Sequence, residues 1–269
     1  MIQKQTNHLL NEIKVTKNLE DKIIGCSAII LSGLCYKIEK NYLNIGLSYL
    51  KKITNFSIDN QGFTYSRNIN QLIFFLKYFI IIKEWFKESQ VEVPVHIEEN
   101  IHYLGQSYAF IKQDTDVDLL FNGNNNSSTP DFDNYLRRLG YKFKNENKNC
   151  GGYIILKNKK ICLAMDVGSS PNLKYTQDYQ SGALSFEIIS NGKKLITNCG
   201  YYKKNNHNLN EISKSSAAHS TLIIDDNSSC KFTKMKGVLI LKSGLKITQK
   251  NSVFEKSYWQ INAAHDGYF

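Results

Sequence analysis

Apolar residues in the first half of the chain recur at every third or fourth position. Stretches near residues 7–17, 20–39, 41–54, 67–89, 95–113 and 131–139 carry this spacing, for instance Ile23, Ala28, Ile30, Leu31 and Leu34, then Leu43, Leu47, Leu50 and Ile53. That period lays an apolar stripe along a helix, so the pattern predicts helices stacked as hairpins through their stripes. Start and stop residues agree: Asp21 and Ser66 are placed to cap, Pro94 and Pro130-Asp131 to open, and Gly140 to end a helix. The most apolar run, residues 72–82 (LIFFLKYFIII), is interrupted by Lys77 and Tyr78 and is too short for a bilayer, so it reads as a buried core helix and no transmembrane segment is expected.

From Gly151 onward the pattern becomes that of strands. Tyr153-Ile154-Ile155-Leu156 and residues 161–165 flank a turn at Asn158-Lys159-Lys160, and residues 183–189 and 194–198 flank Asn191-Gly192, a strong hairpin signal. Further strands are predicted over 220–225, 237–241, 246–249 and 257–262, and no helical pattern returns. The expected fold is α+β: helical hairpins over 1–145, then an antiparallel β-sandwich over 146–269, with the polar run FNGNNNSSTP near the boundary.

Composition narrows the function classes. The 269 residues are 42% hydrophobic, which is ample for cores, and 34 Lys+Arg against 24 Asp+Glu give a net charge of +10. Arginine occurs only at 67, 137 and 138, so the charge is almost all lysine, a hydrated point charge rather than the fork that reads guanine edges. A general field for a polyanion fits this better than sequence readout, and no nucleic-acid partner is expected. The six cysteines (26, 35, 150, 162, 199 and 230) form no CxxC pair and no Cys/His ligand spacing, so they read as isolated buried thiols. The start, MIQKQTNHLLNEIKV, has no continuous apolar region and no small-residue cleavage site, so no secretion signal is read in it.

Local segments go further. SGALSFEIISNGKKLITNCGYY (181–202), SKSSAAHSTLIIDDNSS (213–229) and AAHDGY (263–268) resemble, in order and spacing, the C-terminal β domain of the heparinase II/III family of polysaccharide lyases. Upstream, Thr6-Asn7-His8-Leu9-Leu10 resembles the Asn-His motif on a helix of that family's α/α toroid, and Asp59-Asn60-Gln61-Gly62-Phe63 its "DGG-F" loop. The resemblance implies β-elimination on a uronate-containing acidic polysaccharide, in a cleft between a partial toroid and the sandwich. It also implies a periplasmic or cell-envelope location.

Such chemistry needs the uronate carboxylate neutralised, a base for the C5 proton and an acid for the departing O4. By resemblance Asn7 neutralises the carboxylate with His8 in support, and Tyr65, near the "DGG-F" loop, is the candidate for proton transfer. The family's own tyrosine and histidine align with Ile69 and Asn70. The resemblance further implies a divalent, zinc-like metal in the β domain, with His219 of Ala217-Ala218-His219 as a ligand. Asp178 and Gln180 stand where the family has two histidines, and Asn198 where many relatives have an acidic ligand, so the metal site reads as eroded. Asp178 and Gln180 then become candidates for substrate binding.

Relatives place toroid helices before the Asn-His motif and continue the sheet after AAHDGY, so the chain reads as an incomplete polypeptide with exposed apolar helix faces. A second function remains open beside the lyase: a catalytically degenerate protein that keeps the fold and the basic cleft and binds acidic glycan without turnover.

Overall fold

The computed structural model describes residues 2–36, 41–112, 117–125, 129–204, 207–235 and 237–268. Helices α1 (Ile2–Val15), α2 (Leu19–Cys35), α3 (Tyr42–Ser57), α4 (Ile69–Glu88), α5 (Val95–Lys112) and α6 (Thr129–Arg138) form where the three-to-four period predicts them. The run at 72–82 is indeed a core helix: Leu72, Phe75, Leu76, Phe79, Ile80 and Ile82 of α4 are fully shielded, and only Lys77 reaches solvent freely. No described helix is long and apolar enough to cross a membrane.

The caps differ from expectation. Asn18, not Asp21, caps α2 by accepting from Glu20 N at 2.8 Å, and Asn68, not Ser66, caps α4 by accepting from Gln71 N at 3.1 Å. In both cases an amide oxygen two or three residues upstream reaches the open backbone donors first. Gly140 behaves as expected, ending α6 with a φ of +77° while Tyr141 N bonds Leu136 O across the turn.

The second half opens with a five-stranded antiparallel meander in chain order: β1 (Asn149–Cys150), β2 (Tyr153–Lys157), β3 (Ile161–Asp166), β4 (Phe186–Ser190) and β5 (Lys193–Ile196). Asn191 and Gly192 both take positive φ, +48° and +74°, which is the primed turn their sequence signals. Hairpins β6 (Lys231–Met235) with β7 (Val238–Ser243) and β8 (Ile247–Phe254) with β9 (Trp259–His265) complete the β region.

The alternation of side chains along β2 explains its unbroken apolar run. Tyr153 and Ile155 point into the large core built by the helices, while Ile154 and Leu156 point to the opposite face, where Trp259, Ile261 and Ala263 of β9 cover them. The meander is therefore a middle layer between the helical body and the second β layer. One buried cluster runs from Ile13 to Ile189 across residue 145, so the two halves share a core.

Three segments depart from the sequence reading. A helix does return, α7 (Asn208–Lys214), capped by His207 through Leu209 N; its buried face is the polar set Asn210, Ser213 and Lys214, so no apolar period marks it. Residues 220–225 form no strand, because Asp225 and Asp226 turn the chain with φ of +48° and +57° and Leu222–Ile224 stay exposed. Strand β6 lies in a lysine-bearing stretch without clean alternation. Among the thiols, Cys26, Cys150, Cys162 and Cys230 are buried as expected, whereas Cys35 and Cys199 are exposed.

Candidate functional site: the seam between the helical and β halves

The loop between α3 and α4 is held against the β half by Arg67. Its guanidinium pairs with Asp166 at the end of β3 and donates to the carbonyls of Gly151, Gly152 and Gly168 at 3.2, 3.2 and 3.0 Å. Gly168 is required here, since a Cβ on it would lie 2.3 Å from the Arg67 guanidinium carbon. The second carboxylate oxygen of Asp166 accepts from Asn122 at 2.8 Å, and the Tyr153 hydroxyl donates to the Arg67 carbonyl at 2.8 Å. Asn122 belongs to the polar run that reads as a boundary loop. It is 3% exposed, and its neighbours Phe121, Gly123 and Asn124 are buried as well, so residues 121–124 are built into the seam instead of lying over the surface.

Gln180 is also consumed by the seam. It is 1% exposed, accepts from Gly123 N at 3.1 Å, and donates to Gly200 O at 3.1 Å and Ser213 O at 2.6 Å. His219 meets the same Ser213 carbonyl through Nε2 at 3.1 Å, and since a carbonyl can only accept, Nε2 carries the proton. Burial pushes the His219 imidazole down to about 4, against the pull of Ser213 and Asp166, so it is neutral at pH 7. Asn198 accepts from Ser220 N at 3.0 Å, and its buried amide nitrogen has no partner among the described residues.

These residues do not fit the divalent metal that the resemblance implies. Gln180 turns its amide N–H groups to the Gly200 and Ser213 carbonyls and its oxygen to Gly123 N, Asn198 brings an amide where a carboxylate is needed, and His219 has only its Nδ1 lone pair to offer. Among the described residues no group of three or more His, Cys, Asp or Glu is gathered for a metal.

The open part of the seam is a cleft. One pocket lies between the starts of α2 and α4 and the segment 174–179, and carries Lys17, Lys174 and Lys203 with Glu20 and Asp178. A second, of about 580 Å³, continues past Glu20 and Lys203 to Asn70, Phe74, Lys77, Phe132, Tyr135 and Arg138. Asp178 stands at the wall of the first pocket, with one carboxylate oxygen accepting from Asn68 at 3.0 Å and the other from the Tyr201 hydroxyl at 2.9 Å. Asn70, the residue aligned with the family histidine, donates to Gly123 O, and its amide oxygen is buried without a partner among the described residues.

Tyr65 is 44% exposed and stacks on Tyr175, with ring centroids 5.9 Å apart. Tyr175 lines both the first pocket and a neighbouring one that contains Tyr65, so it links Tyr65 to the side of the cleft that holds Asp178. The other seam phenols, Tyr153, Tyr179 and Tyr201, are pushed up by burial and stay protonated.

Asn7 and His8 lie on α1 and line none of these pockets. The Tyr42 hydroxyl donates to Asn7 Oδ1 at 3.0 Å, which leaves the two amide N–H donors of Asn7 turned away from that bond; His8 is exposed. Sequence reasoning missed Arg67, Asp166, Asn122, Glu20 and Lys203. Only the isolated Arg67 in a chain of lysines carried a signal that could have drawn notice.

Solved structures share this arrangement of helices over an antiparallel β region. The chain aligns with a heparinase III crystal structure at a TM-score of 0.67 and 16% identity, over 92% of this chain and 43% of that one. It aligns with a second heparinase III at 0.73 and 14% identity, over 98% and 46%, and with a heparan sulfate lyase HepC mutant from Pedobacter heparinus at 0.69 and 12% identity, over 91% and 44%. The chain thus spans less than half of each of these structures and shares their fold over that part. Residues 147–269, the β half of the chain, match the family described as "Heparinase II/III-like, C-terminal". No curated protein sequence matches the chain.

Proposed function

We propose that the protein is a polysaccharide lyase of the heparinase II/III type, holding a uronate-bearing acidic polysaccharide along the seam cleft and cleaving it by β-elimination. The observation that carries this reading is the cleft itself: lysines 17, 174, 203 and 77 and Arg138 outnumber the carboxylates of Glu20, Asp131 and Asp178 along one seam, in a fold shared with heparinase III. A polyanion is drawn into such a seam by its field.

In the reaction a base removes the C5 proton, the C4–O4 bond breaks as the C4–C5 double bond forms, and the departing O4 takes up a proton. Asn7, its oxygen held by Tyr42, would offer amide donors to the uronate carboxylate with His8 beside it and the exposed Tyr65 phenol would transfer the proton; since Asn7 and His8 line neither cleft pocket, these roles require a polymer that extends beyond the cleft to α1. No step passes through a metal. The family's setting supports a cell-envelope or periplasmic place of action.

The second reading, glycan binding without turnover, is favoured by one observation: Gln180 and Asp178, in place of the family's histidines, are both tied into seam hydrogen bonds. Incubation with heparan-sulfate-type, chondroitin-type and alginate-type polymers, followed by absorbance of the unsaturated uronate, separates the two. The lyase reading expects an absorbance rise that Asn7→Ala abolishes. Saturable binding with no rise for any polymer would leave the binding reading in its place.

A further inference from the structure

The two pockets of the cleft share two charged residues, Glu20 and Lys203, and no others. These form an ion pair at 3.6 Å that joins the first turn of α2, in the helical half, to the segment after β5, in the β half. The pair therefore lies across the seam at the point where one pocket passes into the next.

The charge inventory is closely balanced there. Among the described residues the first pocket sets Lys17, Lys174 and Lys203 against Glu20 and Asp178, and the second sets Lys77, Arg138 and Lys203 against Glu20 and Asp131. Both oxygens of Asp178 are taken by neutral donors, so that carboxylate is fixed in the wall. Glu20 is different: its described side-chain partner is Lys203, and Lys203 keeps 69% of its side chain in solvent. Burial raises the Glu20 carboxyl above its ordinary range while Lys203 pulls it down.

We propose that Glu20 is a specificity-determining residue of the cleft, an internal anion that occupies Lys203 and bars the passage between the two pockets until an anionic group of the ligand replaces it. This rests on the acidic-glycan reading given above. A ligand carboxylate or sulfate that reaches Lys203 must compete with Glu20 and sit beside a like charge. Removing that charge leaves each pocket with a larger cationic excess and frees an ammonium common to both.

The test is a titration of the full chain at low salt with a size-defined heparin oligosaccharide. It compares the wild type with Glu20→Gln, Lys203→Gln, the double variant and Asp21→Asn, each checked for an unchanged melting temperature. Asp21 is exposed, lies in the same helical turn and lines neither pocket, so it controls for net charge. Glu20→Gln is expected to tighten binding by roughly two- to fivefold, the scale of one exposed ion pair, and Asp21→Asn to leave it nearly unmoved. Lys203→Gln should weaken binding, and by a larger factor when Glu20 is already Gln. Equal binding by Glu20→Gln and wild type, or an equal gain from Asp21→Asn, overturns the proposal while leaving the glycan reading intact. A wild type that binds neither this oligosaccharide nor chondroitin-type and alginate-type ones of the same size overturns both.

Discussion

Arg67 and Asp166, 99 residues apart in sequence, form a buried ion pair that fastens the α3–α4 loop to the end of β3. The guanidinium also satisfies four carbonyls, from Gly151, Gly152, Gly168 and Ser169, and lies over the Tyr153 ring at 4.9 Å. Arg67 itself holds a left-handed backbone with φ of +58°, which aims the side chain across the seam. A strained residue kept in place by so many partners marks a junction on which the geometry of the cleft depends.

Removing either charge strands the other inside. Asp166→Asn and Arg67→Ala are each expected to lower unfolding stability by about 3–5 kcal/mol, because an unpaired buried charge is left behind. Arg67→Lys should recover little of this, since one ammonium cannot reach four carbonyls and a carboxylate from the same point. Urea unfolding of the three variants checks this, and a loss below about 1 kcal/mol for all of them would contradict the role of the pair.

His219 makes stability depend on pH. Its folded-state value of about 4 lies below the ordinary value of 6.5, so between these limits the unfolded chain binds a proton that the native chain does not. The contribution is whole above pH 6.5 and is lost as pH falls toward 4, at up to about 1.4 kcal/mol per unit. Unfolding at pH 5 and pH 7 should show a steeper acid loss in the wild type than in His219→Gln. Parallel losses would show that His219 is not the group responsible.

Gln180 and Asn198, amides in the positions of metal ligands with Gln180 fully hydrogen-bonded to the protein, predict a β domain that folds without a metal. Dialysis against a strong chelator should leave the melting temperature of the protein unchanged. Gln180→Ala should lower unfolding stability by about 1–3 kcal/mol, because the Gly123 donor and the Gly200 acceptor lose their partner in a buried site. Metal content measured on the purified protein, together with a chelator-induced drop in melting temperature, would overturn this.

The layers of the fold were legible because they follow from period. Apolar spacing marks α2 to α5, and the Asn191-Gly192 turn marks β4 and β5. Helix α7 was not legible, since its inward face is Asn210, Ser213 and Lys214, polar residues satisfied by distant partners: the Lys214 ammonium donates to Gln177 O at 2.7 Å and Leu239 O at 2.8 Å. The same limit holds at the site. Motif resemblance singled out Asn7, His8, Tyr65, Asp178, Gln180, Asn198 and His219. What binds the seam together is long-range pairing, such as Arg67 with Asp166 and Glu20 with Lys203, which no local pattern announces.

The acidic-polysaccharide lyase reading is tested most directly by the mass of the products. Elimination breaks the C4–O4 bond without adding water, so the masses of the fragments sum to that of the parent oligosaccharide and the new non-reducing end is an unsaturated uronate. The account predicts this balance for at least one uronate-bearing oligosaccharide treated with the wild type, and no fragments with Asn7→Ala. Intact oligosaccharide throughout, or fragments that together have gained one water as in hydrolysis, would contradict it.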